Sequence, residues 1–282
     1  MDVTVIVPCY QAAAYLRETL DCLPVGIRAI AVDDASTDET AQILADWQSK
    51  DSTHRKVMTH TQNLGLGATR NTGWQHASSE WILFLDADDL LEAGWAHALE
   101  TYLAHTPPSG WLWHPYSEWD GERKRLRQTD RLLKSTDLVT KRLPLSPSGS
   151  LIRRAVLEEV GGWSVSRDRV EDIDLWMRLW QAGHRPVSWS NTPWTRYRTN
   201  VGLTKDVEGH AQKVFARLDE FVERGWVRAS ERQEAEGEIW RQVGRTHHKA
   251  GRWEAARSAY DRSPSSLKTL LLRSLTYLHV AL

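Results

Sequence analysis

The chain has 282 residues, 41% of them hydrophobic and 26% charged, enough for one large α/β core and a modest second unit. A formal net charge of -1 provides no field to draw the whole chain onto nucleic acid, so no nucleic-acid partner is expected. No window approaches about 18 uninterrupted apolar residues and no basic-then-apolar leader opens the sequence, so neither a bilayer-spanning helix nor a signal peptide is read.

"VTVIVP", residues 3–8, is β-rich and ends at a proline, after which "AAAYLRETLDCL" repeats apolar residues at helical spacing. Cys9 and Cys22 lie in apolar surroundings without a CxxC, and read as thiols in a reducing compartment. "IRAIAVDD" is a second strand closing on Asp33 and Asp34. In "STDETAQILADWQS", Ser36 or Thr37 can cap a helix, Glu39 completes a capping box with Ser36, and Ile43, Leu44 and Trp47 form the inward stripe. "RKVMTH", a helix over about residues 67–76, and "EWILFLDADD" complete four β-α units. Short apolar strands alternating with amphipathic helices predict a mostly parallel sheet covered on both faces.

The middle is less regular. "GWLWHPYSEWDG" reads as a strand pair or turn, "ERKRLRQTDRLLKSTDLVTKR" as basic with weak helical periodicity, and "SGSLIRRAVLEEVGGW" as a strand, a helix and a glycine stop. "VEDIDLWMRLWQAG" is a helix ended by Gly183. From about residue 205 the chain is helical almost throughout, and "EIWRQVGRTHHKAGRWEAARSAYDRSP" has the two-helix pattern of one tetratricopeptide-like repeat with Gly251 at its turn. A single copy cannot form a solenoid, so it reads as a helical appendage. In the closing stretch, Leu267, Leu270, Leu271, Leu275 and Leu278 share a helical stripe flanked by Lys268 and Arg273. That stripe either packs on the helix pair or a second subunit, or lies in a membrane surface. The 15 tryptophans are read first as core, with sugar-stacking platforms as the alternative for some.

A parallel sheet of this kind binds ligands beyond the carboxyl ends of its strands. Those ends carry Pro8 and Tyr10, the Asp33-Asp34 pair, the turn holding Asn63 and Gly65, and Asp86-Ala87-Asp88. Adjacent carboxylates after the second strand suit a ribose or base donor, against the plainer reading of an acidic turn with a cap. Gly65 and Gly67 in "NLGLGATRNTGW" let backbone approach a ligand, and Arg70, one turn inside the helix, can brace the acidic loops or reach phosphate. Neither a P-loop nor a GxGxxG is present. Asp86 and Asp88 alternate across the end of a strand, so both can border one crevice. Mg2+ or Mn2+ there would neutralise the pair and bridge it to a diphosphate. A two-metal nuclease would need more carboxylates and a basic path, which occurs only over residues 123–131. Glu171, Asp172 and Asp174 open a helix, where the dipole alone favours acids, but a carboxylate held over the metal site could also deprotonate an acceptor hydroxyl.

"VIVPCYQAAAYLRETL", "VDDASTDET", "NLGLGATRNTG", "FLDADD" and "GGW…VEDIDLWMRL", in this order and at these separations, resemble the inverting nucleotide-sugar glycosyltransferases of family 2. The resemblance covers residues 2–197. It implies a GT-A fold, a Rossmann-like, mostly parallel sheet flanked by helices, here with a C-terminal helical appendage. It implies a catalytic domain over residues 1–204, with a nucleotide-sugar half over 1–92 and an acceptor half over 93–204, followed by the helical region 205–282. Carried across by position, Pro8 and Tyr10 wall the base, Asp34 of the Asp33-Asp34 pair meets a pyrimidine edge, and Asp86 meets the ribose. Asp88 holds the metal and diphosphate, and Arg70 ties the turn of Asn63 and Gly65 to the nucleotide loops. Asp172 matches the catalytic base, supported by Glu171. Cys9 and Gln11 stand where Ser or Thr and Asn are commoner, and no QxxRW follows the base motif, which argues against a processive synthase.

The reaction implied is a metal-dependent single displacement, with Mn2+ or Mg2+ as cofactor. A hexose-type sugar passes from a nucleoside diphosphate, UDP first among them, to a hydroxyl of a glycan or lipid-linked acceptor. A non-catalytic sugar-nucleotide-binding protein and a nucleotidyltransferase remain the alternatives, the first opposed by the intact Asp86, Asp88 and Asp172 set. The location expected is the cytoplasm, with peripheral contact at the inner face of the cytoplasmic membrane or a homo-oligomer as the roles open to the C-terminal helix.

Overall fold

The computed structural model describes residues 1–105, 109–120, 124–127, 134–140, 145–168, 170–199, 206–264 and 267–280. The chain folds as two compact units, residues 1–130 with 144–202, and residues 131–143 with 203–282. The boundary read near residue 204 and most of the basic stretch 123–131 lie outside the described residues.

In the first unit, β1 (Val3–Cys9), α1 (Ala13–Asp21), β2 (Arg28–Asp33), α2 (Thr40–Ser49), β3 (Arg55–Thr59), α3 (Leu66–Gln75) and β4 (Trp81–Phe84) follow the predicted alternation. Next come β5 (Leu90–Leu91), α4 (Trp95–Leu103), β6 (Trp111–Trp113), β7 (Tyr116–Trp119) and β8 (Lys124–Arg127). After α5 (Ser135–Val139), which belongs to the second unit, the first resumes with β9 (Ser150–Arg153), α6 (Arg154–Val160), α7 (Glu171–Gln181), β10 (Val187–Ser188) and β11 (Thr195–Arg198).

Seven strands form the main sheet in the order β10-β6-β9-β4-β1-β2-β3. All pairings are parallel except those of β9, which runs antiparallel to both β4 and β6. Every residue of β1 is buried, the signature of a central strand covered on both faces. A second sheet, β5-β11-β7-β8, takes up the irregular middle. Lys124 to Arg127 is therefore a strand, not the helix its weak periodicity suggests, because it pairs with β7 in a ladder that local spacing does not report. Ten of the 15 tryptophans are buried, so core packing is their main use; Trp111, for example, stacks on Trp176 at 5.0 Å.

The second unit carries α5, α8 (Val207–Glu223), α9 (Ala229–Lys249), α10 (Trp253–Asp261) and α11 (Leu267–Tyr277). α9 and α10 form the expected helix pair around Gly251, and they approach closely because Gly244 faces the Tyr260 ring, where a Cβ would stand 2.5 Å from a ring carbon. α11 turns Thr269, Leu272 and Thr276 inward. Of its leucine stripe, Leu267, Leu270, Leu271 and Leu278 are exposed and Leu275 is half-buried, while Leu272, outside the stripe, packs against Ala256 and Tyr260 of α10. Among the described residues no helix is long and apolar enough to cross a membrane.

Candidate active site

The carboxyl ends of β4, β1 and β2 lie side by side, so the loops that follow them share one edge of the sheet. Pro8 is the penultimate residue of β1, and Tyr10, directly after the strand, is 54% exposed at the lip. Gln11 clamps this loop to the next. Its Oε1 accepts from the Thr37 and Asp38 backbone N–H groups at 2.9 and 3.2 Å, its Nε2 donates to Thr37 Oγ1, and its own N–H donates to Ser36 Oγ. With Ser36 and Thr37 engaged across the loop, the capping box does not form; α2 starts at Thr40, whose N–H donates to Asp38.

Asp33 and Asp34 are both buried at the end of β2. Asp33 accepts from the Ser36 N–H at 3.1 Å. Asp34 accepts from the Leu64 and Gly65 N–H groups at 2.8 and 2.9 Å and is 2.7 Å from His60 Nδ1, while Asn63 Nδ2 lies 3.5 Å from its carbonyl. Both Asp34 oxygens thus hold the turn that opens α3. The two glycines of that turn serve the chain's own packing. A Cβ on Gly67 would meet Ser164 O at 1.9 Å, and Gly65, at φ +93°, faces Arg167, which donates to Asn63 O. The backbone that approaches there is the segment 163–167, where the sequence suggests a ligand.

Arg70 is the hub of the site. It is 2% exposed, donates to Asp86 Oδ1 at 2.6 Å and to Glu171 Oε1 at 3.3 Å, and its guanidinium lies 4.3 Å from the Trp163 ring centroid. It therefore joins the loop after β4 to Glu171, the first residue of α7, which lies 101 positions beyond Arg70. The carboxylates raise its pKa against the opposing effect of burial. Burial raises the Glu171 carboxyl above its ordinary value; Arg70 opposes this, while Asp172 and Asp86 add to it. Asp172 is half-buried beside Glu171, its Oδ1 accepting from the Ile173 N–H at 2.8 Å. Asp174 instead pairs with Arg178 one turn on, at 2.7 Å, which is a helix-stabilising use. Of the three acids at the helix start, Glu171 and Asp172 face this charge cluster.

Three supporting residues receive no role from the sequence. Asn71 accepts from the Trp163 N–H and donates to the Trp163 carbonyl, each at 2.8 Å, and so fixes the ring on which Arg70 rests. Asp89 is buried and accepts from Ser148 Oγ at 2.6 Å and from the Arg198 N–H at 3.0 Å. Ser148 Oγ in turn accepts from the Asp86 N–H at 3.1 Å. The local signals are the asparagine beside Arg70, the last acid of DADD and a serine pair around a glycine, none of which names a partner.

Burial and the Asp86 charge push the Asp88 carboxyl up to about 6. Among the described residues no three His, Cys, Asp or Glu side chains converge as a self-sufficient metal site. Mg2+ and Mn2+ at phosphate-transfer sites are ordinarily held by one or two carboxylates together with substrate oxygens, and the Asp86-Ala87-Asp88 step fits that requirement. A cation would relieve the repulsion that raises Asp88.

Residues 4–161 match the family model described as "Glycosyl transferase family 2". The pre-mycofactocin glycosyltransferase of Mycobacterium tuberculosis is 31% identical over 196 residues, 65% of this chain and 40% of that protein. Glycosyltransferase GlyA of Streptococcus pneumoniae is 36% identical over 101 residues, 34% of this chain and 14% of that protein. The chain thus spans well under half the length of these curated relatives. Among solved structures, S. aureus TarS 1-349 in complex with UDP-GlcNAc superposes with a TM-score of 0.63 at 18% identity, covering 99% of this chain and 87% of that one. Mannosyltransferase PcManGT from Pyrobaculum calidifontis, in complex with GDP-Man and Mn2+, gives 0.59 at 19% identity, covering 98% and 80%. The fold is that of these proteins.

Proposed function

The chain belongs to glycosyl transferase family 2, and on that premise we propose that it is a metal-dependent inverting glycosyltransferase that uses a nucleoside diphosphate sugar, with UDP the first choice of nucleotide. The observation that carries the reading is the buried Arg70, which ties Asp86 on the nucleotide edge to Glu171 beside Asp172. One cation thereby couples the donor loop to a carboxylate pair at the start of α7. The complexes of TarS with UDP-GlcNAc and of PcManGT with GDP-Man and Mn2+ support a nucleotide-sugar donor and a divalent ion.

In this reading Pro8 and Tyr10 border the base, Asp33 and Asp34 shape the pocket by holding the turn of Asn63 and Gly65, and Asp86 meets the ribose. Asp88 would hold Mn2+ or Mg2+, whose charge would offset that of the departing diphosphate. Asp172, half-buried and accepting from its neighbour's N–H, takes the proton of an acceptor hydroxyl as that oxygen attacks the anomeric carbon from the face opposite the leaving group. The configuration inverts, so an α-linked donor yields a β-linked product. Glu171 keeps its place through Arg70 and bounds the acceptor side. The nucleotide-sugar half is residues 1–92 and the acceptor half 93–204, apart from residues 131–143, which fold with the helical region 205–282. The acceptor is a glycan or lipid-linked saccharide of the cell envelope, met at the inner face of the cytoplasmic membrane.

A panel of UDP-, GDP- and dTDP-sugars incubated with the protein and Mn2+ or Mg2+, read by mass spectrometry for released nucleoside diphosphate and glycosylated product, tests this. EDTA should abolish release. Asp172→Asn should retain donor binding and lower turnover by about 10²-fold or more. Turnover that survives EDTA, or a fully active Asp172→Asn variant, would overturn the mechanism.

A further inference from the structure

Behind the acidic loop lies a buried chain of hydrogen bonds that runs in one direction. The Trp189 indole N–H can only donate, and it donates to His114 Nδ1 at 3.1 Å, which leaves His114 its proton on Nε2. That proton points to Thr195 Oγ1 at 2.9 Å, and Thr195 turns its own hydrogen to the Ser148 carbonyl at 2.7 Å. The Ser148 hydroxyl accepts from the Asp86 N–H at 3.1 Å and gives its hydrogen to Asp89 Oδ2 at 2.6 Å. His114, Thr195 and Ser148 are all 0% exposed and Asp89 is 1% exposed. The members come from between β6 and β7, from the turn before β9, from directly after β10 and from β11, so several elements converge on one four-residue loop.

The contacts bracket Asp88. Ser148 holds the backbone of Asp86, two positions before it, and the side chain of Asp89, directly after it; the Arg198 N–H secures the other Asp89 oxygen at 3.0 Å. An orphaned N–H and an orphaned carboxylate oxygen in a dry site each carry a desolvation cost, so removing the Ser148 hydroxyl gives the loop a reason to move. We propose that Ser148 is a positioning residue that sets where Asp88 would present its carboxylate to a divalent ion bound with the nucleotide, with Thr195 and His114 as its backing. The inference rests on the proposed glycosyltransferase reading.

The test uses the full chain, with UDP and GDP each titrated calorimetrically in Mn2+ and in EDTA. Ser148→Ala should weaken nucleotide affinity in Mn2+ by about 10–100-fold and change affinity in EDTA by less than about two-fold, because groups that orient ligands act on metal affinity. Thr195→Val, nearly isosteric but without the hydroxyl, should shift the same ratio in the same direction, and Thr195→Ser should restore it. Should Ser148→Ala not fold, the Thr195 pair decides alone. Variants with wild-type affinity in Mn2+, or equal loss with and without Mn2+, would overturn the positioning role. A wild-type chain that binds neither nucleotide in Mn2+ and releases no nucleoside diphosphate from the UDP-, GDP- and dTDP-sugar panel would overturn the glycosyltransferase reading and this inference with it, whereas wild-type binding with indifferent variants removes this inference only.

Discussion

Replacing Arg70 with Met removes a guanidinium that is 2% exposed and bonded to two carboxylates, while keeping an unbranched side chain on Trp163. Asp86 has an outlet, since its side chain is 26% exposed, but Glu171 at 11% would be left a buried, uncompensated acid. Breaking a buried ion pair by removing one partner costs about 3–5 kcal/mol. For a folding unit of this size, with Tm falling about 2–4 °C per kcal/mol, the expected drop is about 6–20 °C. Because the stranded charge causes most of the loss, Arg70→Met/Glu171→Gln should be more stable than Arg70→Met by about 0.5–3 kcal/mol. Thermal melts followed by near-UV circular dichroism, which reports the packing of tryptophans such as Trp163, give both numbers. A Tm for Arg70→Met within 2 °C of wild type, by this order-of-magnitude scale, or a double variant no more stable than the single one, refutes the picture of Arg70 as the counter-ion holding the two carboxylates together.

Two further outcomes follow from packing and protonation. Gly67→Ala places a methyl where Ser164 O stands 1.9 Å away, backbone against backbone, so the segment 163–167 must be displaced. Overpacking of this kind costs about 1–3 kcal/mol, and limited trypsin digestion should cut after Arg167 faster than in wild type; an unchanged Tm and cleavage rate would contradict it. Burial pushes the His114 pKa down to about 3, from an ordinary 6.5. Below the ordinary value the unfolded chain binds a proton that folded His114 refuses, so its contribution to stability is full at neutral pH and is lost as pH falls from about 6.5 toward 3, at up to about 1.4 kcal/mol per pH unit. His114→Gln should flatten the slope of urea-unfolding free energy between pH 6 and pH 4 relative to wild type, and identical slopes would show that His114 is not the group responsible.

The sequence by itself determined the alternation of strand and helix through residue 85, because apolar periodicity and strand-ending acids are local properties that each segment carries alone. It also placed Asp33, Asp86 and Asp88 on one sheet edge, since parallel strands joined by crossovers must present the same ends together. The helix starting at Glu171 and the α9–α10 pair with its turn at Gly251 were legible for the same reason. What each polar group does was decided only by tertiary structure. Asp34 takes the 63–65 turn onto both its oxygens, and Gly67 lies against residue 164, pairings that no local pattern reports. Lys124–Arg127 became a strand because β7 offered a ladder. Arg70 and Glu171 are 101 positions apart, Asn71 and Trp163 are 92, and Asp86 and Ser148 are 62. Local spacing holds no record of such pairs, because a side chain's hydrogen-bond partner is set by which segments the closed sheet places within about 3 Å of it.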